Sequence, residues 1–258
     1  MSKKEKIVLI LLFVIIAFID VTGLPGVLKK IYVEDLDPNI IPIMINFVLI
    51  GILSVIILKS FKITYTFGFT KKGLKSGMKR YGLHGVLVGI ISLISYIIGL
   101  SPFDYSPTLL KILIEGILYC IGVGIVQEFY IRGLFLNCIE ELAPKKKNRT
   151  TIAIIISSVV FGIGHIPGVI SMGIGVIIFK LVSTISMGLY LGAIYKKTNN
   201  LWIPIIIHTF INICALPYCF TQNMRYETIT IVILTIIYSL LAIYSWTLLY
   251  NKKRIVNN

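Results

Sequence analysis

Eight long apolar stretches divide this sequence, and they constrain its fold more than any other feature. An α-helix needs about 17–25 apolar residues to cross the hydrocarbon core of a bilayer. The predicted spans are 7–27, 40–58, 82–100, 109–137, 151–168, 172–195, 201–217 and 228–250. With 57% hydrophobic residues, only 14% charged residues and a mean hydropathy of +0.92, the chain is too apolar for a soluble globular protein. The sequence predicts an all-α, polytopic protein of the cell membrane with eight transmembrane helices.

The formal charge of +14 does not indicate a nucleic-acid partner, because the basic residues lie in loops between apolar spans. When the loops are assigned alternately to the two sides, 19 Lys and Arg residues fall on one side and 3 on the other. Cytoplasmic loops carry the excess of Lys and Arg, so both termini are predicted to be cytoplasmic. Residues 1–258 are predicted to form a single transmembrane domain, and the basic connection 59–81 is expected to carry an interfacial helix.

Three of the predicted spans contain polar residues that a bilayer tolerates poorly. Glu128 and Arg132 are four residues apart in the fourth span and therefore share a helix face. The fifth span contains His165, and the seventh contains His208 and Asn212, again four apart. Taken singly, each group also has a structural interpretation as an ion pair, a packed histidine or an interhelical amide.

The depth of these groups favours a common site. With a rise of 1.5 Å per residue, Glu128 is expected roughly 14 Å inside the membrane, His165 roughly 15–18 Å and His208 roughly 12 Å. Independent structural polar groups have no reason to share one layer. The sequence therefore predicts that the three clusters converge at a site reached from the cytoplasmic side.

The spacing of these residues resembles the pattern of the CPBP family of CAAX proteases and bacteriocin-processing proteins, also called Abi. These are relatives of the type II CAAX prenyl endopeptidase. The family pattern is Glu-Glu-x-x-x-Arg, Phe-x-x-x-His and His-x-x-x-Asn on three helices. The corresponding segments are Gln127-Glu128-x-x-x-Arg132, Phe161-x-x-x-His165 and His208-x-x-x-Asn212. The resemblance covers roughly residues 110–215.

This resemblance implies an intramembrane endopeptidase of the glutamic type. Its substrate would be a membrane-embedded, lipidated or precursor peptide or protein within the lipid bilayer. By the resemblance, His165 helps to activate a water, Arg132 orients Glu128, and His208 with Asn212 stabilises the oxyanion. Such chemistry needs a base, a held water and donors placed where negative charge develops.

The chain departs from the family pattern at Gln127, where the family has its first Glu. An amide can position a water but cannot accept its proton. Adjacent helical residues point about 100° apart, so Glu128 does not simply replace the missing carboxylate. Three explanations stay open: Glu128 is the base of a relaxed variant, the chain is an inactive relative, or the glutamine is an introduced isosteric change.

No cofactor is expected. Two histidines and a carboxylate can form a catalytic zinc set, but the HExxH pattern of common zinc proteases is absent from the sequence. The alternative to a protease is a catalytically silent immunity or regulatory scaffold. A transporter that uses Glu115, Glu128 and Lys180 is a weaker third hypothesis, because no broken-helix pair is visible. The sequence does not predict the oligomeric state.

Overall fold

A computed structural model describes residues 3–22, 40–61, 67–99, 109–143, 148–220 and 227–250. Within those ranges the chain forms helices and no strands. The α-helices are α1 Lys3–Thr22, α2 Ile40–Ser60, α3 Leu74–Gly77, α4 Leu83–Ile98, α5 Leu109–Glu128, α6 Asn137–Leu142, α7 Arg149–Ile163, α8 Ile174–Thr198, α9 Trp202–Cys214 and α10 Thr228–Tyr250. Two π-helical segments, Met78–Gly82 and Phe129–Leu136, join α3 to α4 and α5 to α6.

The all-α prediction is thereby confirmed for the described residues, and helices occur in all eight predicted spans. In the part of the chain that the structure describes, five helical segments are long and apolar enough to cross a membrane: Ile40–Ile57, Leu74–Ile98, Leu113–Leu142, Ile174–Thr198 and Thr228–Tyr250. Two shorter apolar helices are Arg149–Ile163 and Trp202–Tyr218. The number of spans and the side on which the termini lie stay predictions, since the basic loop residues 144–147 and the C-terminal residues 251–258 are outside the described ranges.

The distribution of polar and apolar side chains is the one expected of a helix bundle in lipid. Large aliphatic side chains such as Val48, Ile94 and Ile236 are about half exposed on the outside of the bundle. Glu128 and Arg132, in contrast, are 0% and 1% exposed in its interior. A bundle with an apolar exterior and a polar centre is stable when the surrounding solvent is hydrocarbon.

Helix bounds differ from the predicted spans in three places. The basic segment before the third span carries no separate interfacial helix in its described part, because the helix begins at Leu74 and continues through the π segment to Ile98. The fourth span continues past Asn137 to Leu142. The fifth ends at Ile163 rather than at residue 168, and a short 3₁₀ helix, Pro167–Met172, follows. The apolar stretch is longer than the helix because apolar residues also form this 3₁₀ turn.

Helix α8 lies between α7 and α10 and packs closely against α7. A Cβ atom on Gly188 would lie 2.9 Å from Cα of Ser158, and one on Gly192 would lie 3.1 Å from Ile154. On the facing helix, a Cβ atom on Gly162 would lie 2.4 Å from Ile185 and 3.3 Å from the hydroxyl of Thr184. The glycines therefore permit close antiparallel packing of α7 against α8, in which each turn of one helix faces a defined turn of the other. We call this contact the α7–α8 seam.

The beginning of α9 is fixed by residues 67–73. The Asn200 side-chain amide donates hydrogen bonds to the carbonyl oxygens of Thr70 at 2.8 Å and Lys72 at 3.1 Å. The backbone N–H of Leu201 donates to the carbonyl oxygen of Gly68, also at 3.1 Å. Gly68 has φ +71° and lies so close to the backbone of Asn199 that a side chain has no room there. These contacts set the position from which α9 carries His208 into the bundle.

Candidate active site

Glu128 lies at the centre of the candidate site. It is the last residue of α5 before the π segment, and its side chain is fully buried. Its Oε1 atom lies 3.1 Å from Nη1 of Arg132 and 2.8 Å from Nδ1 of His208. Its Oε2 atom is buried and has no hydrogen-bond partner among the residues that the structure describes. One carboxylate oxygen is therefore held by two groups, while the other is available to an additional donor.

Arg132 lies in the π segment one turn after Glu128. Its Nη2 atom donates to the carbonyl oxygen of Gly188 on α8 at 3.4 Å, and its guanidinium carbon lies 4.6 Å above the ring centre of Phe161 on α7. The predicted shared face of Glu128 and Arg132 is confirmed by their contact. Because an isolated buried charge is very costly, the carboxylate, the carbonyl and the aromatic ring together make this guanidinium tolerable in the bundle.

His208 approaches Glu128 from α9 and is 1% exposed. The carboxylate oxygen in this contact also accepts from Arg132, so Nδ1 of His208 is assigned as the donor. Nε2 is then the nitrogen left for other chemistry. The contact joins the first and third sequence motifs directly, although they lie on different helices.

His165 lies just after the end of α7, not within a helix as the sequence predicted. The helix ends at Ile163 with Gly164 as its C-cap, and Nδ1 of His165 lies 2.7 Å from the carbonyl oxygen of Phe161. A carbonyl oxygen only accepts, so Nδ1 carries the proton and Nε2 has the free lone pair in the neutral ring. The turn thus uses one nitrogen to satisfy a helix-terminal carbonyl and leaves the other for proton transfer.

Phe161 is the side chain around which the three cationic or potentially cationic groups are arranged. Its ring centre is 4.6 Å from that of His165 and 5.8 Å from that of His208, in both cases with the rings steeply inclined. Arg132 lies over the same ring. The sequence motif marks this position but gives no reason for an aromatic side chain there. The structure supplies one, since the ring spaces and orients these groups.

The remaining two predicted site residues lie beside this network. Gln127 precedes Glu128 in α5 and is partly exposed, as expected for adjacent helical residues that point in different directions. Asn212 lies one turn after His208 on α9 and is also partly exposed. Among the described residues, its side-chain amide makes no hydrogen bond. Gly188, which accepts the bond from Arg132, was not predicted, because a backbone carbonyl leaves no mark in the sequence.

The histidines and the carboxylate of the site do not form a metal-binding group within the described part of the chain. No three His, Cys, Asp or Glu side chains there lie close enough to share an ion. Glu128 and His208 contact each other directly, and His165 directs its Nδ1 to a carbonyl oxygen. The prediction that the site uses no cofactor is not tested by this geometry.

A comparison with protein-family models matches residues 109–214 to the type II CAAX prenyl endopeptidase Rce1-like family. No curated protein matches the chain. The matched range begins with α5 and ends with the last residue of α9. It contains all three motifs and every contact of Glu128 described above. Residues 109–214 are therefore similar to the type II CAAX prenyl endopeptidases of the Rce1-like family, which agrees with the resemblance predicted from the three motifs.

Proposed function

We propose that this protein is an intramembrane endopeptidase of the glutamic type that hydrolyses a membrane-bound, lipidated or precursor peptide. The observation that carries the proposal is the contact of buried Glu128 with both Arg132 and His208, with His165 packed against the same Phe161 ring as these two residues. A soluble protease has no need to place these groups in an apolar bundle. A protease whose substrate lies in the membrane does, and the family match supports protease activity in general.

Glu128 and His165 are proposed to activate the water. Among the described residues, Oε2 of Glu128 has no hydrogen-bond partner, and Nδ1 of His165 contacts the carbonyl oxygen of Phe161. We therefore assign Oε2 of Glu128 and Nε2 of His165 as the atoms that accept a proton. The water oxygen attacks the peptide carbonyl carbon, its proton passes to one of these acceptors, and a proton then returns to the departing amine. General-base catalysis of this kind contributes roughly 100- to 10,000-fold in rate. Arg132 keeps the Glu128 carboxylate oriented for this step.

Gln127 is assigned a positioning role. Its amide both donates and accepts, so it can hold a water beside Glu128, but it cannot take the proton. We therefore adopt the explanation that Glu128 serves as the base of a relaxed variant, rather than an inactive relative or an introduced glutamine. The expected consequence is an enzyme that works more slowly than one with two carboxylates.

His208 and Asn212 are proposed to stabilise the oxyanion. The Nδ1 proton of His208 is used by Glu128, so this residue donates through Nε2 only when both ring nitrogens carry a proton. Asn212 donates through a neutral amide on the same face of α9. Removal of one oxyanion donor typically costs 100- to 1,000-fold in rate, or about 3–4 kcal/mol. No metal is assigned a role.

The experiment is cleavage of membrane-anchored peptides by the full chain reconstituted in liposomes. Variants Glu128→Gln and His165→Ala are expected to abolish cleavage, while Glu141→Gln, an exposed carboxylate after the site, is the matched control. Activity is expected to survive a metal chelator. Loss of activity in chelator that zinc restores would overturn the metal-free mechanism. Folded yield from size-exclusion chromatography separates a catalytic defect from misfolding.

The silent-scaffold alternative makes a different prediction in the same assay. A scaffold would cleave no peptide, and Glu128→Gln and His165→Ala would leave its binding or immunity phenotype as it is. Cleavage that disappears in both variants, with folded protein recovered, excludes that alternative.

A further inference from the structure

Five exposed basic residues lie on the segment that leads into α4, and the proposed mechanism does not use them. We call them the basic surface: Lys71, Lys72, Lys75, Lys79 and Arg80. The sequence has no Asp or Glu between residues 59 and 84. In the part of the chain that the structure describes, none of the five forms an ion pair. An anion from outside the chain can therefore neutralise this charge.

Two exposed aromatic side chains lie beside the basic surface. Phe69 is 46% exposed and Trp202 is 37% exposed, and their ring centres are 5.3 Å apart in an edge-to-face arrangement. Asn200, two residues before this tryptophan, donates to the carbonyl oxygens of Thr70 and Lys72 and so holds the pair next to the basic residues. In membrane proteins, Trp side chains are enriched at the level of the lipid headgroups, where one side of the ring is apolar and the other is wet. Cations beside exposed aromatic rings therefore indicate contact with the membrane interface.

The basic surface lies at one end of the bundle, where several helices begin or end. Helix α8 ends at Thr198, α9 begins at Trp202, and the long apolar segment that contains α4 begins at Leu74. A cluster of about four to eight Lys and Arg residues next to a transmembrane helix attracts anionic lipid, by roughly 5-fold for each basic side chain. Charge complementarity therefore favours the phosphate of an anionic phospholipid as the ligand.

We propose that the basic surface, together with Phe69 and Trp202, binds an anionic phospholipid at the membrane interface. The lipid phosphate pairs with the lysine and arginine side chains, and the two aromatic rings lie among the headgroups. A zwitterionic lipid binds less well, because the cation in its headgroup opposes the charge of the surface. The inference does not depend on the proposed protease function, since it concerns binding alone.

The same aromatic pair connects the basic surface to the candidate site. The ring centre of Phe69 lies 6.0 Å from that of Phe129, and Phe129 directly follows Glu128. Trp202 is the first residue of α9, the helix that carries His208. A lipid bound at this pair therefore lies against both elements that hold the Glu128–His208 contact, and its binding is expected to stabilise the native bundle.

Quenching of Trp202 fluorescence by brominated lipid measures which lipid lies beside this residue. The chain has two tryptophans, so Trp246→Phe leaves Trp202 as the sole reporter. The full chain is reconstituted in vesicles of phosphatidylcholine that contain either brominated phosphatidylglycerol or brominated phosphatidylcholine. The result is the relative binding constant of the anionic over the neutral lipid. We expect a preference of at least roughly 5-fold for the anionic lipid, and high salt should weaken it because exposed charges are screened.

Charge variants test whether the basic surface causes the preference. Lys72→Gln combined with Lys75→Gln should lower it by roughly 5-fold or more, while Lys72→Arg combined with Lys75→Arg should retain it. The matched control is Lys4→Gln combined with Lys59→Gln, which removes two exposed lysines from α1 and α2 and should leave the preference unchanged. Thermal unfolding gives a second readout. A ligand of the native state stabilises it, so added phosphatidylglycerol should raise the melting temperature of the present chain more than that of the glutamine double variant.

Equal quenching by the two brominated lipids would overturn the inference, as would a preference that the glutamine double variant retains. Loss of the preference when inorganic phosphate replaces chloride at constant ionic strength would identify a site for a soluble anion instead. Displacement of the brominated lipid by a soluble acidic peptide would assign the surface to a protein partner. An equal rise in melting temperature in both proteins would place the stabilising lipid elsewhere on the bundle. Peptide cleavage enters none of these measurements, so the proposed function can fail while the lipid site stands.

Discussion

The imidazole of His208 and the carboxylate of Glu128 are 80 residues apart in the sequence and 2.8 Å apart in the structure. Arg132 contacts the same carboxylate oxygen at 3.1 Å. A single atom therefore links α5, the following π segment and α9 in the interior of the bundle. Because three side chains meet at this atom, the stability of the site depends on the charge that each of the three carries.

Glu128 and Arg132 are expected to behave as one unit in a double-mutant cycle. Removal of one partner leaves a buried charge, so Glu128→Ala and Arg132→Ala should each lower the free energy of unfolding by about 3–5 kcal/mol. The double variant should lose less than the sum, with a coupling of about 0.5–3 kcal/mol. Denaturation in detergent measures these values, and Glu141→Ala is the surface control. Additive losses would show that the two side chains do not stabilise each other.

Gln127→Glu is expected to raise the rate of cleavage without a change of fold. The new carboxylate supplies a proton acceptor that the amide lacks. General-base catalysis contributes roughly 100- to 10,000-fold in rate, and this range is the upper limit of the expected increase. The measurement is kcat for a membrane-anchored peptide. His165→Ala in the Gln127→Glu background should lose the gain if the two residues act on one water.

The same comparison distinguishes the possible bases. Equal rates for the present sequence and Gln127→Glu, with no activity in Glu128→Gln, would show that Glu128 alone is sufficient. A rate that falls in Gln127→Glu would contradict the expected gain from a second carboxylate, and it would mean that this carboxylate disturbs the pair of Glu128 with Arg132.

Gly188→Ala is expected to destabilise the α7–α8 seam. The added Cβ would lie 2.9 Å from Cα of Ser158, so two backbones must separate, at a cost of about 1–3 kcal/mol. The matched control is Gly175→Ala in the same helix, where nothing lies within 4 Å of the new atom. That change should be neutral or raise stability by up to roughly 1 kcal/mol. Thermal unfolding in detergent measures both, and similar melting temperatures would argue against a close seam.

The predicted topology is tested by single cysteines at two exposed, described positions. A cysteine at Asn148 should resist an impermeant reagent in intact cells, while one at Glu227 should react. The positive-inside rule places these positions on opposite sides of the membrane. Cys120, Cys138 and Cys214 are buried and should contribute little background, and the fourth cysteine, Cys219, is replaced by serine in both variants. External labelling at Asn148 would reverse the orientation.

The sequence predicts those features that follow from helical periodicity. Glu128 and Arg132 contact each other because residues four apart share a helix face, and this holds even where the helix becomes π-helical. The apolar spans predict the helices for the same reason. A chain in lipid must satisfy its backbone within each segment, so long apolar stretches have few alternatives to a helix.

The position of His165 depends on irregular backbone at the end of α7, which the sequence indicates only weakly. His165 was placed on a helix because the apolar stretch continues to residue 168, yet Gly164 and Pro167 end the regular helix before it. Pro167 is a signal that could have indicated this break, since a proline has no N–H to donate to the carbonyl oxygen four residues before it, that of Ile163. The depth of His165 counted along a straight helix was consequently based on the wrong geometry. Hydrogen bonding of Nδ1 to Phe161 was not predictable from spacing alone.

The π segment Phe129–Leu136 also has a consequence for comparing this chain with its relatives. A π-helix bonds each residue to the fifth before it rather than the fourth, so the segment accommodates extra residues without lengthening the helix in proportion. A relative with regular α-helix at this place would present a different face after the segment, even with identical residues at Glu128 and Arg132. Ungapped alignment would then pair Asn137 with a residue that points elsewhere. Mutations are better transferred between homologues by position around the helix axis than by sequence number.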